Sequence, residues 1–194
     1  MNAFGTITAP DTVRIERLLP GPAERIWAYL TESEKRSRWL AAGDMELTPG
    51  GDVEHVFRNS ELTADDEPPP AKYARQAGEV TMHGRVVECR PQRLLTYLWG
   101  DSPDSSQVTF ELTPQGDEVL LVVTHRRIPD REQLLSISAG WHTHLGILAD
   151  RLAGREPAGF WATHTRLEAE YARRFPEARA GRKMGHFTRL SART

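Results

Sequence analysis

Apolar and polar positions alternate along "TVRIERLL" (12–19), with Val13, Ile15 and Arg17 on one side and Arg14, Glu16 and Leu18 on the other, which predicts a strand. "PGPAERIWAYL" follows, where Pro22 suits a helix start and Ile26, Trp27 and Leu30 form one apolar edge. "SEKRSRWL" predicts a second short helix, with Ser33 as its cap and Trp39 as its apolar end. "DMEL" and "DVEHVF", joined by the turn signal "TPGG", predict a hairpin. The pattern breaks over 59–74, where three prolines stand among Glu61, Asp65, Asp66 and Glu67. A solvated loop is the first expectation there, and a flap over a cavity mouth the second.

Strands resume at 79–90, 93–100, 107–113 and 118–125, separated by short runs of turn formers. Such connections predict an antiparallel meander. Alternation groups Leu95, Tyr97 and Trp99, then Val108, Phe110 and Leu112, then Val119, Leu121, Val123 and His125. That aromatic face needs a cover. From Asp130, a candidate N-cap, Leu134, Ile137, Trp141, Leu145, Leu148 and Leu152 recur every three or four residues. They predict one amphipathic helix from Arg131 to Ala153, about 35 Å long. Gly140 and Gly146 each cost about 1 kcal/mol inside it relative to alanine. Close approach to the sheet, to something held beneath the helix, or a plain bend would account for them.

Farther on, Phe160, His164, Leu167 and Tyr171 predict another amphipathic helix, ended by Pro176. Its apolar face is expected on the preceding domain, or else on a second copy of the chain. The remaining tail carries Arg179, Arg182, Lys183, Arg189 and Arg193 without a dense basic cluster, and Phe187 and Leu190 are candidate anchors to a partner subunit.

Composition narrows the classes. With 194 residues, 39% hydrophobic, 27% charged and a formal net charge of −2, no global field favours nucleic acid or an anionic membrane. No apolar run approaches membrane-spanning length, and the first residues lack a signal-peptide pattern. The single cysteine, Cys89, allows no intrachain disulfide and reads as an inert buried thiol, so a cytoplasmic protein is expected. His142 and His144 point about 200° apart on a helix and cannot chelate one ion together. The other histidines are scattered, and neither a metal site nor a cofactor motif is present.

The ordered set "VRIERLLPGPAERIWAYLTESEKRSRWL", "GG" at 50–51, "GRVVECRPQRLLTYLW", "VTHRRI" and the "GW" that opens the stripe of leucines resembles the activator-of-Hsp-90-ATPase-homologue family. That family belongs to the START-like, or SRPBCC, superfamily. The resemblance covers about residues 11–155, leaving 156–194 as a helical extension and basic tail. It implies an α+β helix-grip fold: a curved antiparallel sheet wrapped around a long C-terminal helix, with two short helices after the first strand. It also implies a mainly apolar cavity that binds a small hydrophobic molecule such as a lipid. Chaperone-linked members carry a further N-terminal domain that has no counterpart before Thr12, which speaks against chaperone stimulation.

Trp27, Trp39, Tyr97, Trp99, Phe110, Val123, Trp141 and Leu145 are the candidate wall of that cavity, with Arg17, Tyr97 and His125 as polar anchors. Two other functions compete with simple binding. One is a cyclase- or hydrolase-type enzyme with His125 as general base. The other is an adaptor of chaperones or of its own dimer that uses the C-terminal extension.

Overall fold

In a computed structural model, which describes residues 4–64 and 66–175, seven strands form one curved antiparallel sheet. The strands are β1 (Thr6–Ala9), β2 (Thr12–Pro20), β3 (Asp52–Phe57), β4 (Val80–Arg90), β5 (Leu94–Trp99), β6 (Ser106–Gln115) and β7 (Glu118–Arg126). Their order across the sheet is β1-β2-β7-β6-β5-β4-β3, and every neighbouring pair is antiparallel. The meander β4–β7 follows the predicted alternation. Leu95, Tyr97, Val108, Phe110, Leu121 and Val123 are all buried on one face.

Helices α1 (Ala23–Thr31) and α2 (Ser33–Arg36) connect β2 to the far edge of the sheet. Ser33 does not cap α2, because only Glu32 separates the two helices; its hydroxyl accepts the Gly43 N–H instead (3.0 Å). Trp39 lies beyond the end of α2 and is fully buried. The predicted "DMEL" hairpin strand is reduced to two isolated bridges, Ala42↔Val56 and Met45↔Val53. The reason is local. Gly43 sits at φ +108°, tight against the Glu54 carbonyl, a conformation that interrupts a ladder and that residues with a Cβ rarely adopt. Strand β1 escaped the sequence reading because four residues carry too little period-two signal.

Helix α3 (Arg131–Leu152) begins where expected, with Asp130 accepting the Gln133 N–H (2.8 Å). Its stripe of Leu134, Trp141, Leu145, Leu148 and Leu152 is buried in the main core with the sheet residues. A second face is buried too: Leu135 and Ala139 pack with Leu167 and Tyr171 of α4 (Phe160–Arg174). The apolar side of α4 is therefore covered by its own chain. Tyr171 Oη accepts the Gly5 N–H (2.8 Å) and lies 3.1 Å from His142 Nδ1, which fastens the N-terminal segment to α3 and α4. The tail from 176 onward, with Phe187 and Leu190, lies outside the described residues.

The segment 59–76 is not a free loop. It forms 3₁₀ turns at Asn59–Glu61 and Ala71–Gln76 and grips the start of α4. Thr63 Oγ1 accepts the Phe160 N–H (3.0 Å), Asp66 Oδ2 accepts the Trp161 N–H (2.8 Å), and Trp161 Nε1 donates to Ser60 Oγ (2.9 Å). Asp66 thus supplies an N-terminal cap from 95 residues away, satisfying donors that a helix start leaves unpaired. Local patterns cannot show such a bond.

Neither α3 glycine is explained by close packing, since a Cβ at Gly140 or Gly146 would meet no atom within 4 Å. Gly146→Ala should therefore stabilise the protein by about 1 kcal/mol, the difference in helix propensity. Chemical denaturation checks this. A loss of stability would reveal a hidden contact at Gly146.

Candidate functional site

The ends of four strands gather at one edge of the buried face. Phe57 closes β3, Val80 opens β4, Trp99 closes β5 and His125 is the penultimate residue of β7. Between these ends and α3 lies a cavity of about 260 Å³. Helix α3 contributes Ser136, Ile137, Gly140, Trp141 and His144, a set spaced as one helix face. The segment 59–76 adds Asn59, Tyr73 and Gln76, and α4 adds Phe160, Trp161 and His164. Among the described residues, none that lines the cavity is a lysine, arginine, aspartate or glutamate.

Three of the residues expected at the wall are there: Trp99, His125 and Trp141. The other six are not lining residues. Tyr97 stacks between Trp99 and Phe110, and Phe110 meets Trp141 edge-on at 5.5 Å. Val123 and Leu145 are wholly buried. Trp39 is also in the core, with Nε1 donating to the Tyr29 carbonyl (2.8 Å), while Trp27 packs on the core from a half-buried position. Alternation identifies the correct sheet face but not the stretch along it that the helix leaves uncovered. The middle of the face is filled by helix contacts, and only the strand ends stay open. Arg17 is likewise absent from the lining and donates to its neighbour's carbonyl, Glu16 O (2.7 Å).

The histidine chemistry follows from partners. Trp141 Nε1 donates to His125 Nδ1 (3.0 Å), so Nδ1 carries the lone pair and Nε2–H donates to Ser106 Oγ (2.9 Å). Burial pushes His125 down to about 3. Its one lone pair is occupied by the Trp141 N–H and burial opposes protonation, both of which argue against a general-base role. His144 is the reverse tautomer. Its Nδ1 must carry the proton to donate to the Trp39 carbonyl (2.7 Å), leaving the lone pair on Nε2. Burial lowers it to about 4, with the Trp39 hydrogen bond pulling upward.

His164 is also shifted down by burial, opposed by Glu168 and by a hydrogen bond to the Ser136 backbone. Two buried polar atoms on lining residues have no hydrogen-bond partner, Asn59 Oδ1 and His164 Nδ1. His142 belongs to the opposite side of α3, between Phe4 and Tyr171, as its angle from His144 requires. Among the described residues, no group of three or more His, Cys, Asp or Glu side chains could hold a metal ion. Cys89 is half-buried, and burial raises its thiol pKa.

Sequence reasoning offered 59–74 as a loop or as a flap over a cavity mouth but named none of its residues at the site, and it missed the contribution of α4. The signal that could have found it was Trp161 beside Phe160. A second large aromatic outside the four-residue stripe marks a helix buried on more than one side.

A seven-stranded antiparallel sheet gripping a long helix, with two short helices after β2, is the helix-grip arrangement of START-like (SRPBCC) proteins. Within that class, the chain belongs to the family described as Activator of Hsp90 ATPase homolog 1-like protein, whose model matches residues 20–153. A protein of Bordetella parapertussis, solved by NMR, is 40% identical with a TM-score of 0.74, over 91% of this chain and 92% of that one. CalU16 of Micromonospora echinospora shares the fold at 20% identity and a TM-score of 0.60, over 84% of this chain and 86% of that one. DynU16, a protein in the dynemicin biosynthetic locus, is 21% identical with a TM-score of 0.58, over 77% of this chain and 49% of that one. No curated protein matches the chain. No helix among the described residues is long and apolar enough to cross a membrane.

Proposed function

We propose that this protein binds a small hydrophobic molecule in the cavity beneath α3. The observation that carries the reading is Gly140. It lies on the cavity wall and a Cβ there would meet nothing, so its lack of a side chain leaves the space beneath α3 open for an occupant. Aromatic rings of Phe57, Trp99, Trp141, Phe160 and Trp161 surround that space. The volume of about 260 Å³ falls just below the range of roughly 300–1,000 Å³ usual for drug-sized sites, which favours a compact ring system over a long-chain lipid.

The functional unit on this reading extends past residue 155, because α4 supplies part of the wall. A homodimer would have to use surfaces other than the apolar side of α4. The lone cysteine suits the reducing environment of the cytoplasm.

Calorimetric titration with naphthalene, a bare apolar probe, tests the reading. Binding is expected, and Gly140→Leu should weaken it at least tenfold while leaving the helix intact, since leucine is the better helix former. Undiminished binding by the folded variant would place the probe elsewhere. Absence of binding to the unmodified protein would defeat the proposal.

A further inference from the structure

The cavity meets solvent beneath one short segment. Among the described residues of its wall only Gln76 is exposed, and Gln76 closes the 3₁₀ turn Ala71–Gln76. Tyr73, the other wall residue of that turn, lies across Ser136, Trp161 and His164. Its ring stacks on Trp161 (5.7 Å between centroids) and meets His164 edge-on (5.0 Å), while its Oη lies 2.8 Å from Ser136 Oγ. Little else holds the segment down. Tyr73 is half-buried, and every other residue from Ala71 to Gly78 is exposed. Few hydrogen bonds leave 68–78 for the rest of the described chain: those of Tyr73 to Ser136 and Glu168, that of Lys72 to Glu168, and one from Ser60 Oγ to the Ala77 carbonyl (3.0 Å). Pro68, Pro69 and Pro70 have no N–H to give.

Glu168 of α4 gathers most of these bonds. One oxygen, Oε1, accepts both the Tyr73 hydroxyl (2.7 Å) and the Lys72 ammonium (2.7 Å). The Lys72 side chain is 49% exposed, so water weakens that pair, and the charge-assisted bond from Tyr73 is the stronger of the two. We propose that residues 68–78 are a lid over the cavity, hinged at the three prolines and at Gly78, with Glu168 as the catch that holds Tyr73 across the entrance. The inference rests on the cavity being the binding site. Opening gives up one aromatic contact and a few hydrogen bonds, whereas displacing any other part of the wall would break a strand ladder or a helix. The lid is therefore the least costly way in and out. Glu168 does not line the cavity, so it acts on a guest only through Tyr73.

Stopped-flow fluorescence with naphthalene tests the lid. Glu168→Ala removes the catch and leaves the wall residues and α4 in place, alanine being a strong helix former. Naphthalene should enter and leave this variant about tenfold faster, with both rates rising together and the affinity kept within about twofold. Lys72→Met, which loses only the water-exposed pair, should change either rate by less than about twofold. Unchanged rates in folded Glu168→Ala, with binding intact, would overturn the lid and leave the binding reading standing. A faster exit alone, with affinity falling in step, would also overturn it, because that marks a damaged wall rather than a released lid. An equal acceleration by Lys72→Met would overturn Tyr73 as the part that is held. Absence of naphthalene binding to the unmodified protein would overturn the gate together with the proposed function.

Discussion

Lowering the pH from neutral to about 5 should strongly destabilise this protein, with stability beginning to fall below about pH 6.5. The cause is a set of buried neutral histidines. His55 and His125 are held down to about 3 and His144 to about 4, against an ordinary value of 6.5, and all three are buried. In each case burial is the main cause; for His55 the nearby Arg36 charge adds to it. The unfolded chain takes up protons as pH falls through 6.5, whereas the native chain does not until 3 to 4. Stability from these groups is complete above pH 6.5 and declines as pH drops through that window.

At pH 5 the difference is about 2 kcal/mol per histidine, or on the order of 6 kcal/mol for the three. That is comparable with the roughly 5–15 kcal/mol that holds a typical domain together. Urea denaturation at several pH values would follow the loss. His55→Phe offers a control. Both His55 nitrogens lack partners, and the ring packs among Phe57, Tyr97 and Trp99, so phenylalanine should fit and remove part of the acid sensitivity. A stability profile flat from pH 7 to 5 would show that these rings are hydrated rather than desolvated.

Arg36→Met should be the most damaging single substitution outside the aromatic core, at about 4 kcal/mol. Arg36 is 1% exposed, yet among the described residues no carboxylate pairs with it directly. Its guanidinium instead donates to four carbonyls: Thr31 (3.0 Å), Ala41 (3.2 Å), Gly43 (2.5 Å) and Glu54 (3.3 Å). These tie the end of α1, the turn after α2 and strand β3 to one planar fork. Burial lowers the Arg36 pKa, and the nearby Tyr97 and Asp44 oppose the shift. Methionine fills similar space but leaves the carbonyls without their donor, at about 1–3 kcal/mol for each group that stays buried. Arg36→Lys should recover little, because an ammonium is a single point of donors rather than a fork. Thermal unfolding of both variants would settle the matter. A melting temperature within a few degrees of the parent would mean that water reaches those carbonyls. Because Arg36 also depresses His55, any folded Arg36→Met protein should lose part of its acid sensitivity.

What could be read along the chain was whatever repeats at short range. Alternation over 79–125 marked the meander, and a three-to-four-residue recurrence from Leu134 to Leu152 marked α3, because each residue's solvent exposure there follows its own strand or helix period. The order of these elements was enough to identify the family. Asp130 was legible as a cap because its partner, Gln133, is only three residues on.

The cavity was not legible in this way. Its position depends on how far α3 covers the sheet, so the same aromatic face contains the cavity-lining Trp99 and the core residue Tyr97. His125 and His144 look alike in sequence. Their tautomers are set by Trp141 and Trp39, and the second of these lies 105 residues away. The wall formed by Asn59, Tyr73, Trp161 and His164 exists only because Asp66 and Thr63 hold the first turn of α4. Local periodicity determined which elements form and which sides of them avoid water. Long-range hydrogen bonds and unfilled volume decided where the site lies, since both depend on residues distant in the chain meeting in space.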